Sequence, residues 1–158
     1  FVAAFAGARA AGLRTVAHAG EEGPPAYIRD SLALLGAERI DHGVACEQDP
    51  ALVDRLVAEG IALTVCPLSN MKLQVFPDLR DHNLRRLLRR GVRITVNSDD
   101  PAYFGGYIGA NYLEAQRSRG LTREELVAIA RNGIEAAWID AARRAELLAE
   151  LEAYAART

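Results

Sequence analysis

Three short apolar segments of this chain each end in residues that can transfer protons or bind a metal ion. They precede the strings HAGE at 18–21, DHG at 41–43 and NSDD at 97–100. The carboxyl ends of parallel strands meet at one edge of a sheet, and α/β proteins place their chemistry at that edge. Imidazole and carboxylate groups gathered there indicate a metal-assisted hydrolase rather than a plain scaffold.

His18 and Asp99 are the candidate metal ligands, because neutral imidazole and carboxylate both suit Zn²⁺. A catalytic zinc keeps one position open for water and lowers the pKa of that water to about 7. Two ligands are too few for tight zinc binding, so further ligands must come from elsewhere. The alternative is that His18 has a purely structural role. Asp99 and Asp100 cannot point the same way in an extended chain. One of them would therefore bind the metal, while the other faces the substrate or is structural.

Glu21 and His42 are candidates for proton transfer, and each has a structural alternative. The Glu21 carboxyl could give a proton to a substrate nitrogen, or it could simply favour the N-terminus of the helix predicted from Pro24. His42 could orient the attacking water or hold its proton. Equally, Asp41 could be an ion-pair partner inside the fold, with His42 a hydrogen-bonded filler. The residues alone leave these alternatives open.

The elements that would position these side chains alternate between strand and helix. Apolar runs predict strands at 13–17, 39–41, 61–65 and 92–96, with helices between them that end at glycines. A capping box formed by Thr122 and Glu125 begins one of the C-terminal helices. Consecutive βα units predict an α/β fold that forms a single unit over residues 1–158, about half of an eight-stranded (β/α) barrel. Half a barrel exposes two sheet edges, so we expect further sequence on the N-terminal side.

The composition excludes several classes of partner. The 158 residues are half apolar and a quarter charged, with a net charge of −2, so nothing indicates binding to nucleic acid or to an anionic membrane. We expect a cytoplasmic protein, because neither a signal peptide nor a membrane-length apolar segment stands out. Cys46 and Cys66 are predicted to be reduced and buried near strand ends, and His82 to be a surface or capping residue.

Four strings of the sequence resemble a known family. HAGE at 18–21, DHG at 41–43, CPLSN at 66–70 and SDDP at 98–101 are similar, in this order, to the adenosine/adenine deaminase family of zinc aminohydrolases. The longer string NSDDPAYFGGY at 97–107 is more similar to the adenine deaminase branch. The resemblance implies the C-terminal half, about strands 5–8, of a metal-dependent-hydrolase (β/α)8 TIM barrel with extra C-terminal helices.

The resemblance also implies a role for each candidate residue. His18 and Asp99 would be ligands of one zinc ion, Glu21 the proton donor to purine N1, and His42 the residue that activates the water. Asp100 would contact the substrate near N7. The implied reaction of purine salvage is attack of zinc hydroxide on C6 and loss of ammonia, which turns adenine into hypoxanthine. The implied partner is therefore a small purine.

One family feature is missing from this sequence. Family members carry a His-x-His pair on the first barrel strand, which supplies two further zinc ligands, and no such pair occurs here. The resemblance therefore implies that the fragment alone is inactive.

Adenosine or an N6-substituted adenine is the alternative substrate. A truncated, inactive remnant that folds or binds a partner is the alternative of another class.

Overall fold

A parallel four-stranded sheet forms the centre of the molecule. The computed structural model describes residues 1–157, and the strand order in the sheet follows the order in the chain. The strands are β1 (Val16–Ala19), β2 (Arg39–His42), β3 (Ala62–Val65) and β4 (Arg93–Val96). This architecture confirms the predicted α/β fold with a parallel sheet.

Helices connect the strands and continue beyond the last one. They are α1 (Val2–Ala10), α2 (Pro25–Ala33), a 3₁₀ helix (Val44–Gln48), α3 (Pro50–Glu59), α4 (Pro67–Lys72), α5 (Leu84–Arg89), α6 (Pro101–Phe104), α7 (Ile108–Arg119), α8 (Arg123–Ala136) and α9 (Ala141–Ala155). None of the helices in residues 1–157 combines the length and apolar character that a bilayer span requires. The predicted additional helices at the C-terminus are confirmed.

Local sequence signals explain where these helices begin. The Asp49 side chain accepts a hydrogen bond from the Leu52 backbone N–H, and Pro50 occupies the first turn of α3, where its missing N–H costs nothing. The Thr122 hydroxyl and the Glu125 carboxylate form the predicted capping box at the start of α8. The short connections leave little freedom in how each helix packs on the sheet.

The helices cover the sheet around a core of large aliphatic side chains. Ile28 from α2, Ile40 from β2, Leu63 from β3 and Ile94 from β4 are completely buried. Burial of such side chains contributes about 1.5–3 kcal/mol each. Helix α8 packs against β4 and adds the buried Ile129. The apolar core therefore joins strands β2, β3 and β4 to the helices that pack on them.

The register of the sheet aligns polar residues at one level. His18 pairs with Asp41, Asp41 with Thr64, and Thr64 with Thr95. Partners in adjacent parallel strands project to the same face. Strand β1 begins and ends later than predicted, since residues 13–15 lie outside it and His18 and Ala19 lie inside it. His18 is therefore held by strand pairing, which positions its ring more firmly than a loop would.

Candidate active site

A cavity of about 300 Å³ opens at the carboxyl ends of the strands. It is lined by His18, Asp41, His42, Thr64, Cys66, Asn97 and Asp99. Of the five residues singled out from the sequence, three line this cavity directly. Glu21 reaches the same group of side chains through a 3.1 Å contact with His42, and Asp100 lies outside it.

Asp41 holds the His18 ring from the neighbouring strand. The His18 Nδ1 atom lies 3.1 Å from Asp41 Oδ2, and Asp41 Oδ1 accepts a 2.5 Å hydrogen bond from the Thr64 hydroxyl. A carboxylate beside Nδ1 favours the proton on that nitrogen, which leaves the lone pair on Nε2. The His18 side chain is 70% exposed, so this second nitrogen is accessible from the cavity side.

The buried His42 and the half-buried Glu21 form a pair beside the cavity. The His42 Nδ1 atom lies 3.1 Å from Glu21 Oε1, while its Nε2 atom lies 3.9 Å from Asp99 Oδ2. The rings of His42 and His18 are 5.1 Å apart. Imidazole, carboxyl and carboxylate groups thus converge on one small volume, as proton transfer to a bound molecule requires.

Burial shifts the pKa of both members of this pair toward their neutral forms. Burial is the main cause that raises the pKa of the Glu21 carboxyl, and the negative charges of Asp99 and Glu22 raise it further. Burial is also the main cause that lowers the pKa of His42, with His18 adding to the effect. Each shift favours the form that suits proton transfer, since a neutral carboxyl can donate a proton and a neutral imidazole can accept one.

Unusual backbone conformations turn two of these side chains toward the cavity. His42 has a φ of 62° and Asp99 a φ of 56°, in the left-handed region that costs energy for any residue other than glycine. Gly43 follows with a φ of 69° and donates from its N–H to the Ala19 carbonyl at 3.1 Å. This bond joins the loop after β2 to the end of β1, so the motif residues of the two loops are positioned together.

The adjacent carboxylates Asp99 and Asp100 have different surroundings. Asp99 lines the cavity, whereas Asp100 Oδ1 accepts hydrogen bonds from the backbone N–H groups of Ala102 and Tyr103 at 3.1 and 3.2 Å. Asp100 is thus the N-cap of α6. The role in substrate binding that the resemblance implies for Asp100 stays a prediction.

The side chains around the cavity fit a zinc ion by their chemistry. An imidazole backed by a carboxylate, as in the His18–Asp41 pair, is the usual arrangement of a zinc-bound histidine. Ligand atoms of His42, Cys66 and Asp99 also lie within 4.8 Å of one another. However, burial raises the pKa of the Cys66 thiol to about 12, and its Sγ donates to the Thr64 carbonyl at 3.6 Å. His18 and Asp99 line the same cavity with an imidazole and a carboxylate, two donor types that zinc accepts.

Sequence reasoning gave Asn70 no definite role and misjudged the environment of His82. Asn70 is completely buried, and its Nδ2 atom donates to Glu21 Oε1 at 2.9 Å. The expectation that His82 is a surface residue is wrong, because its ring is also completely buried, 4.4 Å from the Phe76 ring. The N-cap of α5 is Asn83 rather than His82, although His82 Nδ1 accepts from the Leu84 N–H where α5 begins. Only the string CPLSN at 66–70 pointed to Asn70, and no local signal pointed to His82.

Curated adenine deaminases have sequences similar to this chain. The chain is 56% identical over 154 residues to adenine deaminase from Paraburkholderia xenovorans, and 53% identical over 154 residues to adenine deaminase from Hahella chejuensis. Each alignment covers 98% of this chain but only 44% and 46% of the respective relative. The chain therefore spans about half the length of the curated relatives it matches.

Solved structures show the same correspondence. The crystal structure of adenine deaminase from Arthrobacter aurescens superposes with a TM-score of 0.96 at 45% identity, over 98% of this chain and 47% of that one. A Burkholderia ambifaria amidohydrolase solved with bound Zn superposes with a TM-score of 0.90 at 31% identity, over 99% of this chain and 44% of that one. The predicted partial barrel is confirmed. Since the sequence model of the adenosine deaminase family also matches residues 1–154, the chain belongs to the adenosine deaminase family and is most similar to its adenine deaminase branch.

Proposed function

We propose that this chain is the C-terminal half of a zinc-dependent adenine deaminase, which converts adenine and water into hypoxanthine and ammonia. The observation that carries the proposal is the convergence of His18, Glu21, His42 and Asp99 at one edge of the sheet, in a chain 56% identical to an adenine deaminase. In this proposal residues 1–158 form a single unit. Sequence outside this chain completes the barrel and supplies two more histidine ligands.

His18 and Asp99 would hold the single zinc ion. Their proximity to the same cavity and the Asp41 carboxylate behind the His18 ring support this assignment. When bound, zinc lowers the pKa of a coordinated water and so supplies a nucleophile at neutral pH. Everything else in the reaction is proton transfer and orientation, which the side chains of this chain can provide.

Glu21 would protonate purine N1, and this makes the adjacent C6 carbon electrophilic. Its raised pKa supports the role, because burial and the charges of Asp99 and Glu22 favour the protonated form that a donor needs. His42 would accept the proton of the attacking water at Nε2 and pass it to the departing amino group, which leaves as ammonia. The new C6 hydroxyl would return its proton to Glu21. A tautomer in which His42 Nδ1–H donates to Glu21 Oε1 leaves the Nε2 lone pair on the side of Asp99. Glu21 would thus act on the purine ring, whereas His42 would act on the water and the departing amino group.

The substrate is tested with the full-length, zinc-loaded protein that carries this chain. Adenine, adenosine and N6-methyladenine are supplied separately, and hypoxanthine, inosine and the released amine are measured. We expect hypoxanthine and ammonia from adenine at the highest kcat/KM. A higher kcat/KM for adenosine or for N6-methyladenine would show that this compound, and not adenine, is the preferred substrate. Absence of turnover together with absence of bound zinc would favour an inactive remnant.

A further inference from the structure

Asn70 has hydrogen-bonding partners on both sides of its buried amide. Its Oδ1 atom lies 3.2 Å from His82 Nε2. Its Nδ2 atom lies 2.9 Å from Glu21 Oε1 and 3.2 Å from His42 Nδ1. Asn70 and His82 are both completely buried, so these contacts are shielded from competing water.

The Leu84 N–H fixes the donor and acceptor of each hydrogen bond between Leu84 and Glu21. The Leu84 backbone N–H can only donate, and it lies 3.1 Å from His82 Nδ1, so that nitrogen is the acceptor. A neutral His82 then carries its proton on Nε2, which donates to Asn70 Oδ1. Burial lowers the pKa of His82 to about 3, so the ring is neutral. With its oxygen committed to His82, Asn70 presents an N–H to Glu21 Oε1. In the tautomer proposed above His42 Nδ1 also carries a proton, so its 3.2 Å contact with Asn70 Nδ2 is not a hydrogen bond, and both groups donate to Glu21 Oε1.

We propose that His82 and Asn70 are positioning residues that set the orientation of the Glu21 carboxyl. This inference rests on the proposed role of Glu21 as proton donor. Because Oε1 accepts from Asn70, the transferable proton of Glu21 resides on Oε2. These hydrogen bonds, which run from the Leu84 N–H through His82 and Asn70 to Glu21, therefore determine which carboxyl oxygen of Glu21 donates to the purine. They also determine the direction in which its O–H group points.

A structural role alone is the competing explanation. The same contacts join α4 to the segment before α5, since His82 also packs against Phe76 and accepts from the Leu84 N–H at the start of α5. A structural role predicts that substitutions lower stability and leave turnover of the folded enzyme unchanged. A positioning role predicts a lower kcat at unchanged zinc content, because misplacing a reacting group by about 1 Å can cost about 100-fold in rate.

The test uses two His82 variants of the full-length, zinc-loaded protein. His82→Phe keeps a ring beside Phe76 but removes the Nε2–H donor, whereas His82→Gln replaces it with an amide N–H. We expect the Phe variant to lose about 10- to 100-fold in kcat, with a much smaller change in KM. The Gln variant should recover most of that loss. Wild-type kcat in a folded, zinc-loaded Phe variant would overturn the proposal.

Two further variants separate positioning from destabilisation. The carboxylate that Asn70→Asp introduces can still accept from His82 but cannot donate to Glu21. This variant should therefore have a lower kcat although His82 is intact. Leu87→Ala removes a completely buried side chain of α5 that has no polar contact with Asn70 or Glu21. It should lower thermal stability while kcat per folded molecule stays unchanged. An equal loss of kcat in Leu87→Ala and His82→Phe would favour the structural explanation.

A double variant distinguishes the failure of this inference from that of the proposed function. In a Glu21→Gln background the carboxyl proton is gone, so adding His82→Phe should lower the residual rate little or not at all. Full activity of Glu21→Gln itself would remove the proton-donor role on which the inference depends. A strongly impaired Glu21→Gln variant whose residual rate falls further by the full factor seen for His82→Phe alone would overturn only the positioning role.

Discussion

The carboxylate of Asp41 lies 3.1 Å from Nδ1 of His18, directly across the β1–β2 pair. The relationship arises from sheet register, because parallel pairing sets the two residues opposite each other at the carboxyl end of both strands. The Thr64 hydroxyl, one strand further, fixes the second oxygen of Asp41. Three consecutive strands thus orient one imidazole, and the consequence for zinc binding can be measured.

We expect Asp41→Asn to weaken zinc binding by about 10- to 100-fold, because the carboxylate behind a zinc-bound histidine fixes its tautomer and raises its basicity. Competition with a chromophoric chelator in the full-length protein measures this change. Asp54→Asn is the matched control, since that carboxylate is 78% exposed and pairs with Arg90 far from the cavity. Equal zinc affinity of Asp41→Asn and wild type would contradict the role of Asp41.

We expect Glu21→Gln to retain zinc but to lose about 100- to 10,000-fold in kcat for adenine, because the amide cannot supply a proton to the purine ring. Hypoxanthine formation and the zinc content of the same sample are the two measurements. The kcat of Glu21→Gln should no longer vary with pH through ionisation of the side chain at position 21. Turnover equal to wild type would exclude Glu21 as the proton donor.

We expect Gly43→Ala to lower the free energy of unfolding by about 1–3 kcal/mol and to reduce activity. The φ of 69° is unfavourable for alanine, and the new Cβ would lie 2.6 Å from Cδ2 of the completely buried Leu63. Gly7→Ala in α1 is the control, because nothing lies within 4 Å of its Cβ position. It should raise stability by up to about 1 kcal/mol. Denaturant unfolding that ranks the two variants in the opposite order would refute this account.

We expect the effect of Glu125→Gln on stability to depend on pH. Burial raises the pKa of Glu125, but hydrogen bonds from the Thr122 backbone, Arg89 and Arg85 outweigh it and lower the pKa from 4.5 to about 2. A carboxylate with a lowered folded-state pKa stabilises the fold above pH 4.5, and this stabilisation is lost as the pH falls toward 2. Glutamine keeps the shape without the charge.

Thermal unfolding of both proteins between pH 2 and pH 7 measures that dependence. The difference between wild type and Glu125→Gln should be about 1 kcal/mol at pH 7, as for other ion pairs close to a protein surface. It should shrink as the pH falls below 4.5. A difference that stays constant over this range would show that the ion pairs with Arg85 and Arg89 contribute no stability.

Sequence patterns predicted the features that depend on residues close together in the chain, namely the strands, the helices and their caps. Alternating strand and helix signals placed His18, His42 and Asp99 at strand ends of one sheet, and the Thr122 capping box needs only residues within one turn. The exact extent of β1 was missed because its end depends on pairing with β2. Register, which sets His18 opposite Asp41, is likewise a property of two strands and cannot be read from either alone.

The contacts around Asn70 could not be predicted in this way. Its bond to Glu21 joins residues 49 positions apart, and its bond to His82 depends on how the segment after α4 folds back. Burying a histidine costs free energy unless both of its nitrogens find partners. Only the folded chain supplies these partners, the Leu84 amide and Asn70 Oδ1. A short polar pair such as Asp81-His82 therefore resembles a surface turn in the sequence.

Anomalous diffraction at the zinc absorption edge, from crystals of the full-length protein, tests the central claim most directly. The account predicts one strong peak per site, within coordination distance of His18 and Asp99, with Glu21 and His42 beside it but not bound. A peak coordinated by Cys66 with His18 left free, or no peak at this edge of the sheet, would contradict it.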